Sequence, residues 1–179
     1  TKKLLLVDGN SVAFRAFFAM HSALDSFINR DGLHTNATFA FKRMLDNILE
    51  QVDPTNVLVA FDAGKVTFRT KKFEEYKGTR AKMPGELAEQ LPFLHKLLDA
   101  YGIKWYELKN YEADDIIGTM AKRAEAAGYT TTIFTGDRDL TQLTSDKTTV
   151  AVSKKGVTEV EKYTPEHVEE KLGNLRIKN

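Results

Sequence analysis

The amino-acid sequence predicts an α/β fold: a mostly parallel central sheet flanked by helices. Three observations carry that expectation, namely short runs rich in β-formers, intervening stretches of helical periodicity, and the alternation of the two along the chain. The strand-like runs are "LLLV" at 4–7, "VLVAF" at 57–61 and "TTTIF" at 130–134. The first two are continuous apolar runs, as expected of strands covered on both faces.

Between the runs the period changes. Phe41, Met44, Leu45, Ile48, Leu49 and Val52 follow the i, i+3, i+4, i+7 spacing of one helix face, and Asp53-Pro54 ends that helix because the residue before proline is disfavoured in the helical conformation. Leu87, Leu91, Leu94, Leu98 and Tyr101 make a second stripe. Ile116, Ile117, Met120, Ala121 and Ala124 make a third, closed by Gly128 in the position where helices terminate. No internal repeat or low-complexity tract interrupts this order.

A chain of 179 residues with 42% hydrophobic content can bury one sizeable core, so a single domain over 1–179 is expected. The formal charge is +1, which leaves no global field to attract nucleic acid or a membrane; any such signal must be local. With no cysteine, disulfides and thiolate metal sites are excluded, and the four histidines are scattered, so a bound metal would be held by oxygen. No apolar run approaches the ~18 residues of a membrane span, and the opening apolar stretch is too short for a signal peptide. A soluble, intracellular, monomeric protein is expected. Its first residue is Thr rather than Met, which suggests a chain processed or excised from a longer one.

The carboxylates are distributed in a telling way. Asp8 follows the first strand, Asp62 follows the second, and Asp137 and Asp139 follow the third. Parallel strands present their carboxyl ends at one edge, where ligand crevices form. "YEADDIIGTM" opens a helix, so Glu112, Asp114 and Asp115 join the set if that helix starts at the same edge. Each piece also has a purely structural account: Asp8-Gly9 is a common turn dipeptide, "EADD" a good first helical turn, and "GDRD" a loop with an internal ion pair. Together, seven carboxylates in one crevice cannot all stay ionised without cations. Hard oxygen donors suit Mg²⁺ or Mn²⁺, and two such ions can bind the attacking and leaving oxygens of phosphodiester hydrolysis. No nucleophilic triad and no glycine-rich phosphate loop competes with this account.

A second local signal lies at 64–85, "GKVTFRTKKFEEYKGTRAKMPG", where Lys65, Arg69, Lys71, Lys72, Lys77, Arg80 and Lys82 outnumber Glu74 and Glu75 by five. Phe68, Phe73 and Tyr76 interleave, which suits phosphate contacts combined with stacking on exposed bases; a solvated basic loop anchored by its aromatics is the simpler alternative. Because the stretch directly follows Asp62, it is expected to overhang the acidic crevice.

"LLLVDGNSVAFRAFFA", "FDAGKVTFR", "EEYKGTRAKMP", "YEADDIIGTMA" and "TGDRDLTQL", in this order and spacing, resemble the 5′ nuclease (5′-3′ exonuclease) domains of bacterial DNA polymerase I, in the flap endonuclease superfamily. The resemblance covers nearly the whole chain. It implies a cytoplasmic, bacterial, divalent-metal nuclease that acts on DNA with a 5′ end or a single-stranded 5′ flap in primer removal and repair. It also implies that the 64–85 region forms a basic arch over the site, and that a polymerase domain follows in the native chain. Carried over residue by residue, Asp8, Asp62, Glu112 and Asp114 surround a first metal, and Asp115, Asp137 and Asp139 belong to the shared wall and a second. Arg15, Arg69, Tyr76, Lys77 and Arg80 match positions that contact the scissile phosphate or guide the strand, with Lys65, Lys71, Lys72 and Lys82 adding charge for DNA.

In the resembled family a helix-three-turn-helix element and a further acidic motif follow, whereas this sequence stops at "NLRIKN". The expectation is a weak second metal site and slowed cleavage. Two other functions stay open. A noncatalytic DNA-binding module of the same fold would gain nothing from seven carboxylates beside phosphate. A PIN-type ribonuclease shares an acidic crevice on a similar sheet, and the long basic arch argues against it.

Overall fold

The computed structural model describes residues 1–63, 83–109, 111–154, 157 and 159–166. The first strand, β1 (Lys3–Asp8), leads directly into helix α1 (Gly9–Ala19), a 3-10 segment (His21–Ser26) and helix α2 (Asn36–Val52). Strand β2 (Asn56–Ala63) comes next, and after residue 82 come a one-turn helix α3 (Gly85–Ala88), helix α4 (Leu91–Ala100) and strand β3 (Lys104–Lys109). Helix α5 (Ala113–Ala126), strand β4 (Thr130–Thr135), a second 3-10 segment (Arg138–Leu143) and strands β5 (Thr148–Ser153) and β6 (Val160–Tyr163) complete the described chain. The strands form one sheet in the order β3-β2-β1-β4-β5-β6, in which only β6 runs antiparallel, against β5.

Alternation along β1 builds two cores. Leu5 and Val7 point to the face covered by α1, α2 and α4, where they join Phe17, Phe41, Met44, Ile48, Phe61, Leu94 and Leu98. Leu4 and Leu6 point to the opposite face, against Ile116, Ile117 and Ala121 of α5 and Leu140 of the second 3-10 segment. Each fully buried side chain of this size contributes roughly 1.5–3 kcal/mol of transfer free energy. A sheet covered on both faces is what the apolar runs predict.

The helices end for the expected reasons. Asp53 caps α2 in the left-handed conformation (φ 49°) just before Pro54. Gly128, at φ +85°, turns the chain out of α5, and the Tyr129 N–H reaches back to the Ala124 carbonyl at 2.9 Å. The single stripe from Leu87 to Tyr101 is in fact two helices, α3 and α4, separated at Glu89-Gln90. Pro92, in the first turn of α4, lacks the N–H that a continuous helix would bond at that point. Three strands escape the pattern of short β-rich runs. β3 is an edge strand that keeps Lys104, Glu107 and Lys109, β6 is only four residues long, and β5 covers "TTVAVS". Among the described residues, no helix is long and apolar enough to cross a membrane.

Candidate active site

The sheet order places β1 at the centre, with β2 on one side and β4 on the other, so the chain reverses its direction of winding there. Such a switch point opens a crevice at the carboxyl ends of the strands. Asp8 is the last residue of β1, Asp62 lies near the end of β2, Glu112 caps the start of α5 and Asp114 sits in its first turn. Beyond β4, Asp137 caps the 3-10 segment by accepting the Asp139 N–H at 2.9 Å. Asp8, Asp62, Glu112, Asp114, Asp137 and Asp139 all line one cavity of about 1020 Å³.

Specific hydrogen bonds hold these groups. The Asp62 carboxylate accepts the Ala113 N–H at 2.6 Å, which ties β2 to the start of α5, while the Asp62 N–H donates to Asn10 at 2.9 Å. Across the crevice the buried Thr135 hydroxyl donates to Asp8 Oδ2 at 2.9 Å and accepts the Asp137 N–H at 2.9 Å. Ser11 contacts Thr135 at 3.1 Å and accepts the Gly136 N–H at 2.9 Å. The loop after β4 approaches α1 so closely that a Cβ on Gly136 would stand 2.4 Å from Arg15 Cγ and 2.7 Å from the Ser11 carbonyl oxygen.

Negative charge in the crevice is strongly frustrated. Burial pushes Asp8 up to about 6, against the Ser11 and Thr135 hydroxyls, which favour its charged form; repulsion from Asp62 adds to the rise. Asp114 is pushed up to about 7, first by burial and then by repulsion from Asp8, Asp137, Asp62 and Glu112. Positive groups line the cavity too: Arg15 donates to the Ser153 carbonyl at 3.3 Å, Arg138 is among the lining residues, and Lys154 lies 3.5 Å from Glu161. Among the described residues, no three His, Asp or Glu side chains are already drawn together tightly enough to enclose a metal ion. The donor set nevertheless fits a hard divalent cation. Its acidic members offer carboxylate oxygens, the donors that hard divalent cations prefer.

Residues 3–173 match the family described as "5'-3' exonuclease, N-terminal resolvase-like domain". The chain belongs to that family. It is 60% identical over 172 residues to DNA polymerase I of Bacillus subtilis (strain 168), a match covering 96% of this chain and 19% of that protein. Identity to DNA polymerase I of Streptococcus pneumoniae (strain ATCC BAA-255 / R6) is 58% over 172 residues, covering 96% of this chain and 20% of the relative. The chain thus spans about a fifth of the length of the curated relatives it matches. In fold, this 5′-3′ exonuclease domain is similar to the T5 5′-exonuclease with bound zinc ions, at TM-score 0.64 and 20% identity over 94% of this chain and 60% of the other. A bacteriophage T5 flap endonuclease in a complex with DNA and metal ions gives TM-score 0.59 at 18% identity, covering 95% of this chain and 60% of that one.

Within the 5′-3′ exonuclease domain, six of the seven carboxylates singled out in the sequence meet on the cavity wall, and Arg15 meets them there. Asp115 is placed differently. It is absent from the wall, and its carboxylate accepts the Glu112 N–H at 3.4 Å as half of a capping box. The i, i+3 spacing that puts Glu112 and Asp115 on nearly one face is the spacing of that box. Lys65, Arg69, Lys71, Lys72, Tyr76, Lys77, Arg80 and Lys82 lie outside the described residues, as does the C-terminal "NLRIKN". Sequence reasoning missed Asn10, Ser11, Thr135, Lys154, Glu159 and Glu161, all of which line the cavity or hold its acidic groups. The signal for the first three was their position beside Asp8 and Asp137. Lys154 and Glu159 lie between β5 and β6 and Glu161 lies in β6, whose placement depends on the sheet order.

Proposed function

We propose that this chain is a divalent-metal-dependent 5′ nuclease domain that hydrolyses phosphodiesters of DNA at 5′ ends and single-stranded 5′ flaps, within a longer polymerase-bearing protein. The observation that carries the reading is the meeting of six carboxylates from separate elements in one cavity that Arg15, Arg138 and Lys154 also line. Family membership and the length of the DNA polymerase I relatives support the setting. The metal-bound T5 nucleases of the same fold support the cofactor class.

Asp8, Asp62, Glu112 and Asp114 would hold one Mg²⁺ or Mn²⁺, and Asp137 and Asp139 a second, with Asp115 acting on this wall through its cap on Glu112. Bound there, the ions supply a polarised water and charge stabilisation for the phosphodiester oxygens. The chain's own residues do the rest. Buried Asp8 and the hydrogen-bonded Asp62 keep their oxygens in place without reorganisation, and Arg15 presents a guanidinium that matches a phosphate in shape and charge. The basic 64–85 segment would track the strand backbone by charge and base stacking. Cleavage of a labelled 5′-flap DNA is expected with Mg²⁺ and not with a chelator. Release of product without divalent metal, or none with it, would sink the proposal.

A further inference from the structure

The Thr135 hydroxyl is a joint between the two acidic walls. The β1–β4 register pairs Val7 with Phe134, so the next residues, Asp8 and Thr135, leave adjacent strands side by side at the crevice. Thr135 is fully buried and has one hydroxyl proton. An ionised Asp8 can only accept, so that proton goes to Asp8 Oδ2; the Thr135 oxygen accepts the Asp137 N–H and lies 3.1 Å from the Ser11 hydroxyl, which also donates to the Asp8 carbonyl at 3.3 Å. Ser11 in turn accepts the Gly136 N–H. Both backbone N–H groups at the exit of β4 are therefore tied, through two hydroxyls, to the Asp8 side chain and the first turn of α1.

We infer that Thr135, assisted by Ser11, is a positioning residue that sets the spacing between Asp8 and the Asp137–Asp139 wall and thereby the affinity for divalent cations. The inference rests on the proposed metal-dependent reading of the cavity. Partners of this kind, which orient a ligand without touching the ion, typically change metal affinity by about 10–100-fold when removed. Valine has the shape of threonine without the hydroxyl, so Thr135→Val strands the Asp137 N–H and frees Asp8 to turn. Thr135→Ser restores the hydroxyl at the cost of a methyl group.

The test is Mn²⁺ binding to the full chain by calorimetry, with no DNA present, for the unsubstituted protein and for Thr135→Val, Thr135→Ser and Ser11→Ala, each first checked for folding by circular dichroism. DNA affinity in chelator is measured alongside. Expected are Mn²⁺ affinity weakened about 10–100-fold in Thr135→Val, near-normal affinity in Thr135→Ser, a smaller loss in Ser11→Ala, and unchanged metal-free DNA affinity throughout. Absence of Mn²⁺ binding by the unsubstituted chain would refute the metal reading itself. Binding there with equal affinity in Thr135→Val would overturn the positioning role alone. Should Thr135→Val fail to fold, Ser11→Ala decides: normal Mn²⁺ affinity in that variant overturns the inference, and weakened affinity supports it.

Discussion

At the scale of single residues, the cavity is a case of local stability given up at a functional site. Burial first, and then repulsion from four neighbouring carboxylates, push Asp114 up to about 7, so its removal should have opposite effects on two measurements. Asp114→Asn is expected to raise the metal-free melting temperature, because it deletes one partner in four repulsions, and to abolish flap cleavage. A variant that melts lower and still cleaves would show that this carboxylate is neither frustrated nor needed. Gly136 makes a second point. A methyl group there collides with the Ser11 carbonyl oxygen, which is backbone of α1, and with Arg15 Cγ. Gly136→Ala should therefore destabilise the chain by about 1–3 kcal/mol in denaturant titration, a cost typical of overpacking. A change within about 0.5 kcal/mol would mean that α1 and the β4 exit loop can part freely.

Among elements, the helices on the α2 face are joined by one buried amide. Gln90, fully buried between α3 and α4, donates to Asn36 Oδ1 at 2.9 Å and to the Glu86 carbonyl at 2.9 Å. Its own oxygen accepts the Thr38 N–H at 2.9 Å and the Thr38 hydroxyl at 3.1 Å, while Asn36 donates to the Phe17 carbonyl at 3.1 Å. Three helices, α1, α2 and α3, thus meet at a satisfied polar node. Gln90→Leu would keep the volume and orphan several buried groups, so a loss of about 2–4 kcal/mol is expected by equilibrium unfolding. Little or no loss would mean that water replaces the amide. The basic 64–85 element is argued from sequence alone. If Lys77 and Arg80 hold phosphates, replacing both by alanine should weaken DNA binding and reduce the logarithmic salt slope by roughly two. An unchanged slope would leave the stretch as a solvated loop.

Over the whole molecule, the frustrated carboxylates couple stability to pH and metal. In the folded chain Asp8 and Asp114 have pKa values of about 6 and about 7, above the ordinary 3.8. Groups raised in this way favour folding most when protonated. Their contribution is complete below about pH 4 and is lost as pH rises through about 6 and then about 7. In chelator, the melting temperature is thus expected to fall between about pH 5 and about pH 7.5 as these two groups ionise, other groups being unchanged. Millimolar Mg²⁺ should offset that fall, since a cation that binds only the folded state stabilises it by mass action. A melting temperature indifferent to metal near neutral pH would count against a cation centre.

Much of this was legible in the one-dimensional pattern, because the forces involved are local. Apolar runs announce strands buried on both faces, Asp53-Pro54 and Gly128 stop helices through backbone sterics, and the Asp and Glu residues stand where strands end and a helix begins. Those placements identify the α/β class and six of the carboxylates on the cavity wall. What lay beyond the sequence is set by contacts between distant residues. The order β3-β2-β1-β4-β5-β6 brings Lys154, Glu159 and Glu161 to the cavity, and the β1–β4 register sets Thr135 against Asp8, 127 positions away. Asp115 lies in the capping box of α5, at the same i, i+3 spacing that puts it near Glu112 on the helix. Local residue types alone determined which groups can bear charge; the pairing of strands decided how near those charges stand, because repulsion and coordination depend on distance in space.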